Sequence, residues 1–216
     1  SLTIHFDLLA WHSVPESLSS ATTANQVTTM PSTSPRQAVE FILDLFARQG
    51  ATEYMGEAVT MSQHMEQTAA CAVADNAADE LVIAALLHDI GHFIGEHPID
   101  ALEKGDDNYH EEVGADYLQK HFPPSISEPV RLHVSAKRYL CATDADYLGR
   151  LSDASINSLN VQGGPMTAAE IETFEANPHH SAAVNLRRYD DDGKVAGLTI
   201  RPVTSYRQTL ESMVVR

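Results

Sequence analysis

A chain of 216 residues, 43% of them hydrophobic, is long enough for one good-sized core and too short for two full domains. Its formal charge of −16 argues against nucleic acid and membrane surfaces as partners, although a local cluster of cations can still draw an anion into one pocket. Two cysteines, Cys71 and Cys141, without CxxC spacing support neither a disulfide scaffold nor a zinc ribbon, and with no apolar run of bilayer length they set the expectation of a soluble, cytoplasmic protein.

Residues 1–35 read as an N-terminal extension or linker, because after Trp11 the chain turns Ser/Thr/Ala-rich, with Pro31 and Pro35. This segment lacks the basic start and continuous apolar core of a secretory signal. The folded domain is expected over 36–216, with Ser34 as the N-cap of its first helix and Gln37 at the capping-box position. Ala38, Phe41, Ile42, Leu45 and Phe46 recur at helical spacing, and Gly50 should close that helix.

A second helix is expected from Ser62 to Ala74, and a third from Ala78 to Phe93 that is apolar nearly all round and therefore central and buried. A fourth holds His110, Val113, Tyr117 and Leu118. A fifth starts near Ser127, after Pro123 and Pro124, and carries Val130, His133 and Lys137. Val195 to Ile200 is the one stretch with a strand signal. The reading is an all-α bundle with a metal site assembled between helices.

The metal reading rests first on Leu86 to His92, LLHDIGH. His88 offers an imidazole nitrogen, and Asp89 beside it can bridge two cations through its two oxygens, which suits iron, manganese or magnesium. An Asp and a His at the end of a wholly apolar helix would be costly to bury without partners. His64 upstream and His110, His133 and Asp190 downstream complete four histidines and two aspartates, more than one catalytic ion uses while keeping an open position. Ordinary roles compete with each. His5, His12, His97, His121, His179 and His180 read as hydrogen-bonded or surface residues, and a run such as Asp190, Asp191, Asp192 is usually a solvated turn.

Several further strings accompany that ligand order: YMGEAV from Tyr54, HVSAKRYL from His133, LSDAS from Leu151, QGGPM from Gln162 and LRRYDDDGK from Leu186. Together they resemble the HD-domain diiron oxygenases that cleave carbon–phosphorus bonds, a branch of the HD superfamily of mostly metal-dependent phosphohydrolases. The resemblance runs from about Tyr54 to Lys194. It implies an HD-domain helical bundle with one iron held by His64, His88, Asp89 and Asp190, and a second by His110 and His133 with Asp89 bridging.

Asp191 and Asp192 are then expected to be solvated. The resemblance implies catalytic roles for Tyr54 and Glu57, as a mobile lid pair, and for His92, and substrate-binding roles for Lys137, Ser155 and Arg187. Lys137 lies one turn beyond His133 and so projects from the same face. An arginine suits a phosphonate because its guanidinium presents two parallel donors.

The implied reaction uses a mixed-valent Fe(II)/Fe(III) pair and O2 as co-substrate to cleave a 1-hydroxy-2-aminoethylphosphonate, or its N-trimethyl form, into phosphate and glycine or glycine betaine. The partner is thus a small organophosphonate, supplied by an upstream phosphonate hydroxylase. The alternative is metal-dependent hydrolysis of a phosphomonoester or nucleotide, because the same six ligands can hold redox-inactive ions that activate water.

Overall fold

The computed structural model describes residues 34–54, 56–95 and 108–215, and within them the chain is helical with no paired strands. The extension expected over residues 1–35 lies, but for its last two residues, outside the described part, as do His5, His12 and His97. The helices are α1 (Pro35–Gln49), α2 (Met61–Ala74), α3 (Asp79–Leu87), α4 (Gly91–Ile94) and α5 (His110–Leu118), followed by α6 (Pro124–Thr143), α7 (Asp153–Val161), α8 (Ala168–Glu175), α9 (His180–Asp192) and α10 (Arg207–Met213). Among the described residues no helix is long and apolar enough to cross a membrane.

Local chemistry explains most of the boundaries. Ser34 caps α1 and Thr60 caps α2, each in a reciprocal box with a glutamine three residues on. Gly50 ends α1 for a different reason than a left-handed turn, since its φ is −64°. A Cβ there would lie 1.8 Å from the Ser62 hydroxyl, so the glycine permits α2 to come close. The core runs through α3, where Ile83, Ala84, Ala85, Leu86 and Leu87 are fully buried, and α2, α6 and α9 pack around it.

Three expectations change. The helix read from Ala78 to Phe93 is two, α3 and α4, joined by a tight turn at residues 88–90. There the backbone bonds shorten by one residue, Ile90 N–H to Leu87 O, His92 N–H to Asp89 O and Phe93 N–H to Ile90 O, and the turn projects His88 and Asp89 together. The fifth predicted helix begins at Pro124 rather than near Ser127, because a proline in the first turn has no backbone hydrogen to lose, and it continues through Pro129.

The stretch Val195 to Ile200 forms no strand. Its first residue bonds instead to a side chain: Val195 N–H donates to Gln67 Oε1 (2.8 Å) and Gln67 Nε2 donates to Val195 O (3.0 Å). Gly197 then turns the chain with a φ of +71°.

Candidate metal centre

Five elements converge on one buried point. The end of the first turn of α2 brings His64; the turn after α3 brings His88 and Asp89; the start of α5 brings His110, the middle of α6 His133, and the last turn of α9 Asp190. All six are at most 5% exposed, which is untenable for unpaired imidazoles and carboxylates unless they serve one another or an ion.

Their donor atoms sort into two adjoining groups. In the first, His64 Nε2 is 3.1 Å from His88 Nε2 and 3.3 Å from Asp190 Oδ1, while Asp89 Oδ2 is 3.3 Å from His88 Nε2 and 3.6 Å from His64 Nε2. In the second, His110 Nε2 is 3.2 Å from His133 Nε2, and Asp89 Oδ1 is 3.3 Å from the one and 3.7 Å from the other. The two oxygens of Asp89 thus face different groups. His92 stacks on His110, ring centroids 4.2 Å apart, with its Nε2 4.0 Å from Asp89 Oδ1.

The other face of each ligand ring is tied to an acceptor. His64 Nδ1 donates to Gly193 O (3.0 Å), His88 Nδ1 to Ala85 O (2.9 Å) and His133 Nδ1 to Val130 O (2.7 Å). A carbonyl can only accept, so the hydrogen sits on Nδ1 and the Nε2 lone pair points at the centre. Asp89 Oδ2 and Asp190 Oδ1 have no hydrogen-bond partner among the described residues. Nitrogens facing one another at about 3 Å beside orphaned carboxylate oxygens are what donors sharing an ion look like, given metal–donor bonds of roughly 2 Å.

These buried His/Asp groups, with His92 also within reach of Asp89 and His110, and His133 facing His110, form a dinuclear-like metal site between helices, and their nitrogen and oxygen donors, without sulfur, fit iron. Burial alone would raise the carboxyl of Asp89, but His88 and His110 hold it well below its usual range; Arg187 and Lys194 do the same for Asp190. Burial, then the neighbouring His110, pushes His92 down to about 3, so this ring is neutral.

A cleft opens beside the centre, lined by Tyr54, Lys137, Ser155, Gln162, Arg187 and Lys194 among others. Lys137, 3% exposed, donates to Ser158 Oγ (2.7 Å), and burial with the nearby Arg187 lowers it to about 7. Arg187 is held by Asp190 (2.7 Å) and the Tyr147 hydroxyl (3.0 Å), and its far nitrogen lies 3.5 Å from Ser155 Oγ. Tyr54 stacks on His64 at 4.0 Å, and burial followed by the Asp89 and Asp190 charges raises its phenol well above the usual value. Glu57 is half-buried on the same loop, its N–H bonded to Tyr54 O (2.7 Å), and does not line the cleft.

Asp191 is not the solvated carboxylate that was expected: it pairs with both Arg187 and the Tyr147 hydroxyl and is largely covered. Asp192 is exposed. Sequence reading missed Asn108, Tyr147, Gln162 and Lys194. Lys194 Nζ reaches Ser155 Oγ at 3.2 Å and lies 5.7 Å from the Tyr54 ring centre. Gln162 Oε1 is buried without a hydrogen-bond partner among the described residues. Gln162 and Lys194 stood inside motifs already quoted, but their side chains' direction depends on packing of distant helices.

A helical bundle that gathers four histidines and two aspartates into two buried, adjoining donor groups belongs to the class of dinuclear helical metalloproteins. A model of the HD domain matches residues 57–154. The chain is 46% identical over 176 residues, 82% of its length and 90% of the relative's, to [1-hydroxy-2-(trimethylamino)ethyl]phosphonate dioxygenase (glycine-betaine-forming) of Leisingera caerulea. It is 44% identical over 182 residues, covering 84% of this chain and 90% of the relative, to hydroxymethylphosphonate dioxygenase of Gimesia maris. The chain belongs to the HD-domain family that contains these two relatives.

Proposed function

We infer that this protein is an HD-domain dioxygenase that cleaves the carbon–phosphorus bond of a 1-hydroxyphosphonate, releasing phosphate and a carboxylate. The observation that carries the reading is the pairing of a buried dinuclear-type centre with a cleft lined by Lys137, Arg187, Lys194 and Ser155. Both relatives are named for phosphonates hydroxylated on the carbon that bears phosphorus, and they differ in what else that carbon carries. A substrate of this class, such as 1-hydroxy-2-aminoethylphosphonate or its N-trimethyl form, requires an upstream hydroxylase to install the hydroxyl.

His64, His88, Asp89 and Asp190 would hold one iron, and Asp89, His110 and His133 the other. When bound as a mixed-valent Fe(II)/Fe(III) pair, the metals supply Lewis acidity, a template for the hydroxyl and phosphonate oxygens, and the electrons that O2 requires. The chain's own part is binding, orientation and exclusion of water. Lys137 and the outer nitrogen of Arg187 supply charge and donors to the phosphonate, and Ser155 Oγ, between Arg187 and Lys194, adds a hydroxyl.

Arg187 is kept rigid by Asp190 and Tyr147, so little rotamer freedom is lost when an anion arrives. Tyr54, packed on His64, covers the first group and acts with Glu57 as a lid that yields to substrate.

The test is oxygen uptake and phosphate release by iron-loaded protein given hydroxymethylphosphonate and 1-hydroxy-2-(trimethylamino)ethylphosphonate. Phosphate should appear only with O2. Release of phosphate from a phosphomonoester in the absence of oxygen, supported by redox-inactive ions, would assign the protein to the hydrolytic branch instead.

A further inference from the structure

His92 is buried among the donors and yet is wired the opposite way from the four ligand rings. For His64, His88 and His133 the Nδ1 partner is a backbone carbonyl, which leaves Nε2 bare. His110 follows the same rule with a side chain in place of the backbone: Nδ1 donates to Asn108 Oδ1 (3.0 Å), and Glu111 Oε2 also faces that nitrogen at 3.5 Å. A carboxamide has one accepting end and one donating end. With Oδ1 engaged on His110, Asn108 Nδ2 faces His92 Nδ1 at 3.2 Å.

His92 Nδ1 must therefore accept, which leaves the ring's hydrogen on Nε2. That Nε2 has no hydrogen-bond partner among the described residues. The reverse placement of Asn108 would force a hydrogen onto His110 Nε2, which stands 3.2 Å from His133 Nε2 and 3.3 Å from Asp89 Oδ1. Such a ring cannot ligate.

We propose that Asn108 is a positioning residue that gives two stacked histidines opposite tautomers, freeing His110 Nε2 for a metal and making His92 Nε2–H a hydrogen-bond donor for an oxygen of a ligand bound at the second donor group. The inference rests on the reading of His110 as a metal ligand. Backbone geometry supports it. Tyr109, between Asn108 and His110, is left-handed (φ +47°), which bends the chain so that Asn108 reaches back to the ring two residues on. Gly91 lies against the His110 carbonyl, and this close crossing holds the rings nearly parallel, 16° apart.

Nitrogen NMR of histidine-labelled full chain loaded with zinc, a diamagnetic stand-in for iron, reads the tautomers directly. Wild type should show His92 protonated on Nε2 and His110 on Nδ1. Asn108→Asp, which offers an acceptor to both rings, should move the His92 hydrogen to Nδ1 while two metals stay bound.

Wild-type protein with His92 protonated on Nδ1 overturns the proposal without any variant. An Asn108→Asp spectrum in which His92 keeps its Nε2–H overturns Asn108 as the cause, and a chain that binds no zinc removes the premise about His110. Because the readout is a tautomer, it stands apart from turnover; failure to consume oxygen counts against the proposed reaction alone.

Discussion

Lys137 is the residue whose surroundings make the sharpest statement about binding. It is buried, faces Arg187, Asp190, Asp191 and Lys194 from α9 and the segment after it, and meets α7 at Ser158. Replacement by Ala should leave the metal content intact and weaken binding of a phosphonate by about tenfold or more, since a hydrogen bond to a charged group contributes roughly 1.5–3 kcal/mol. Calorimetric titration with metal analysis on the same sample checks both halves.

Its pH behaviour has a definite sign. Burial brings Lys137 down to about 7, so the ammonium is present below that value and is lost as pH rises through it. Affinity for sulfate, whose own charge does not change in this window, should fall across the same range. Lys137→Arg should carry that affinity to higher pH. A flat profile in wild type would mean that Lys137 does not face the anion.

Among the elements, α4 is only four residues long, yet its position fixes how α5 presents His110. Gly91 opens it, and a Cβ built there would lie 1.9 Å from the His110 carbonyl oxygen and 2.7 Å from its carbon. Both obstacles are backbone, so relief requires α5 itself to move. Gly91→Ala should therefore destabilise the fold by about 2 kcal/mol or more, the range of overpacked cores, and should release metal from the second donor group before the first. Urea denaturation and metal counts of the loaded variant decide this; an unchanged midpoint with two ions bound would show that the crossing has slack.

At the scale of the whole molecule, the metal centre is where α2, α3, α5, α6 and α9 meet, so ion binding and folding are coupled. Active protein should hold two ions per chain. Chelation should lower the melting temperature by on the order of 5 °C or more, because metal-free imidazoles and carboxylates remain buried and crowded. Readdition of iron should restore it. A single ion per chain in active protein, or a melting temperature indifferent to chelator, would contradict this picture.

Much of the architecture could be read from the chain itself. The three-and-four spacing from Ala38 to Phe46, the box at Ser34 and Gln37, and the unbroken apolar run before His88 are local, so helical phase follows from neighbours a few residues apart, and with it the burial of all the spaced residues but Phe41, which is exposed. His88 and Asp89 could be singled out too, because their motif is contiguous, whereas His64, His110, His133 and Asp190 follow as a set only from the family resemblance. Tertiary packing decided the rest. The break between α3 and α4 carries no proline, and Pro129 is accommodated inside α6.

Val195 to Ile200 carries a strand signal, but Gln67, 128 residues away in sequence, occupies the first residue's backbone groups. Asp191 looked solvated until Tyr147, 44 residues before it, closed over it. Asn108 shows no motif in the sequence, because its meaning is a choice of hydrogen position on two rings that only the crossing of α4 and α5 brings together. Periodicity and contiguous motifs report interactions within a few residues; hydrogen-bond direction between distant side chains exists only once the helices have packed.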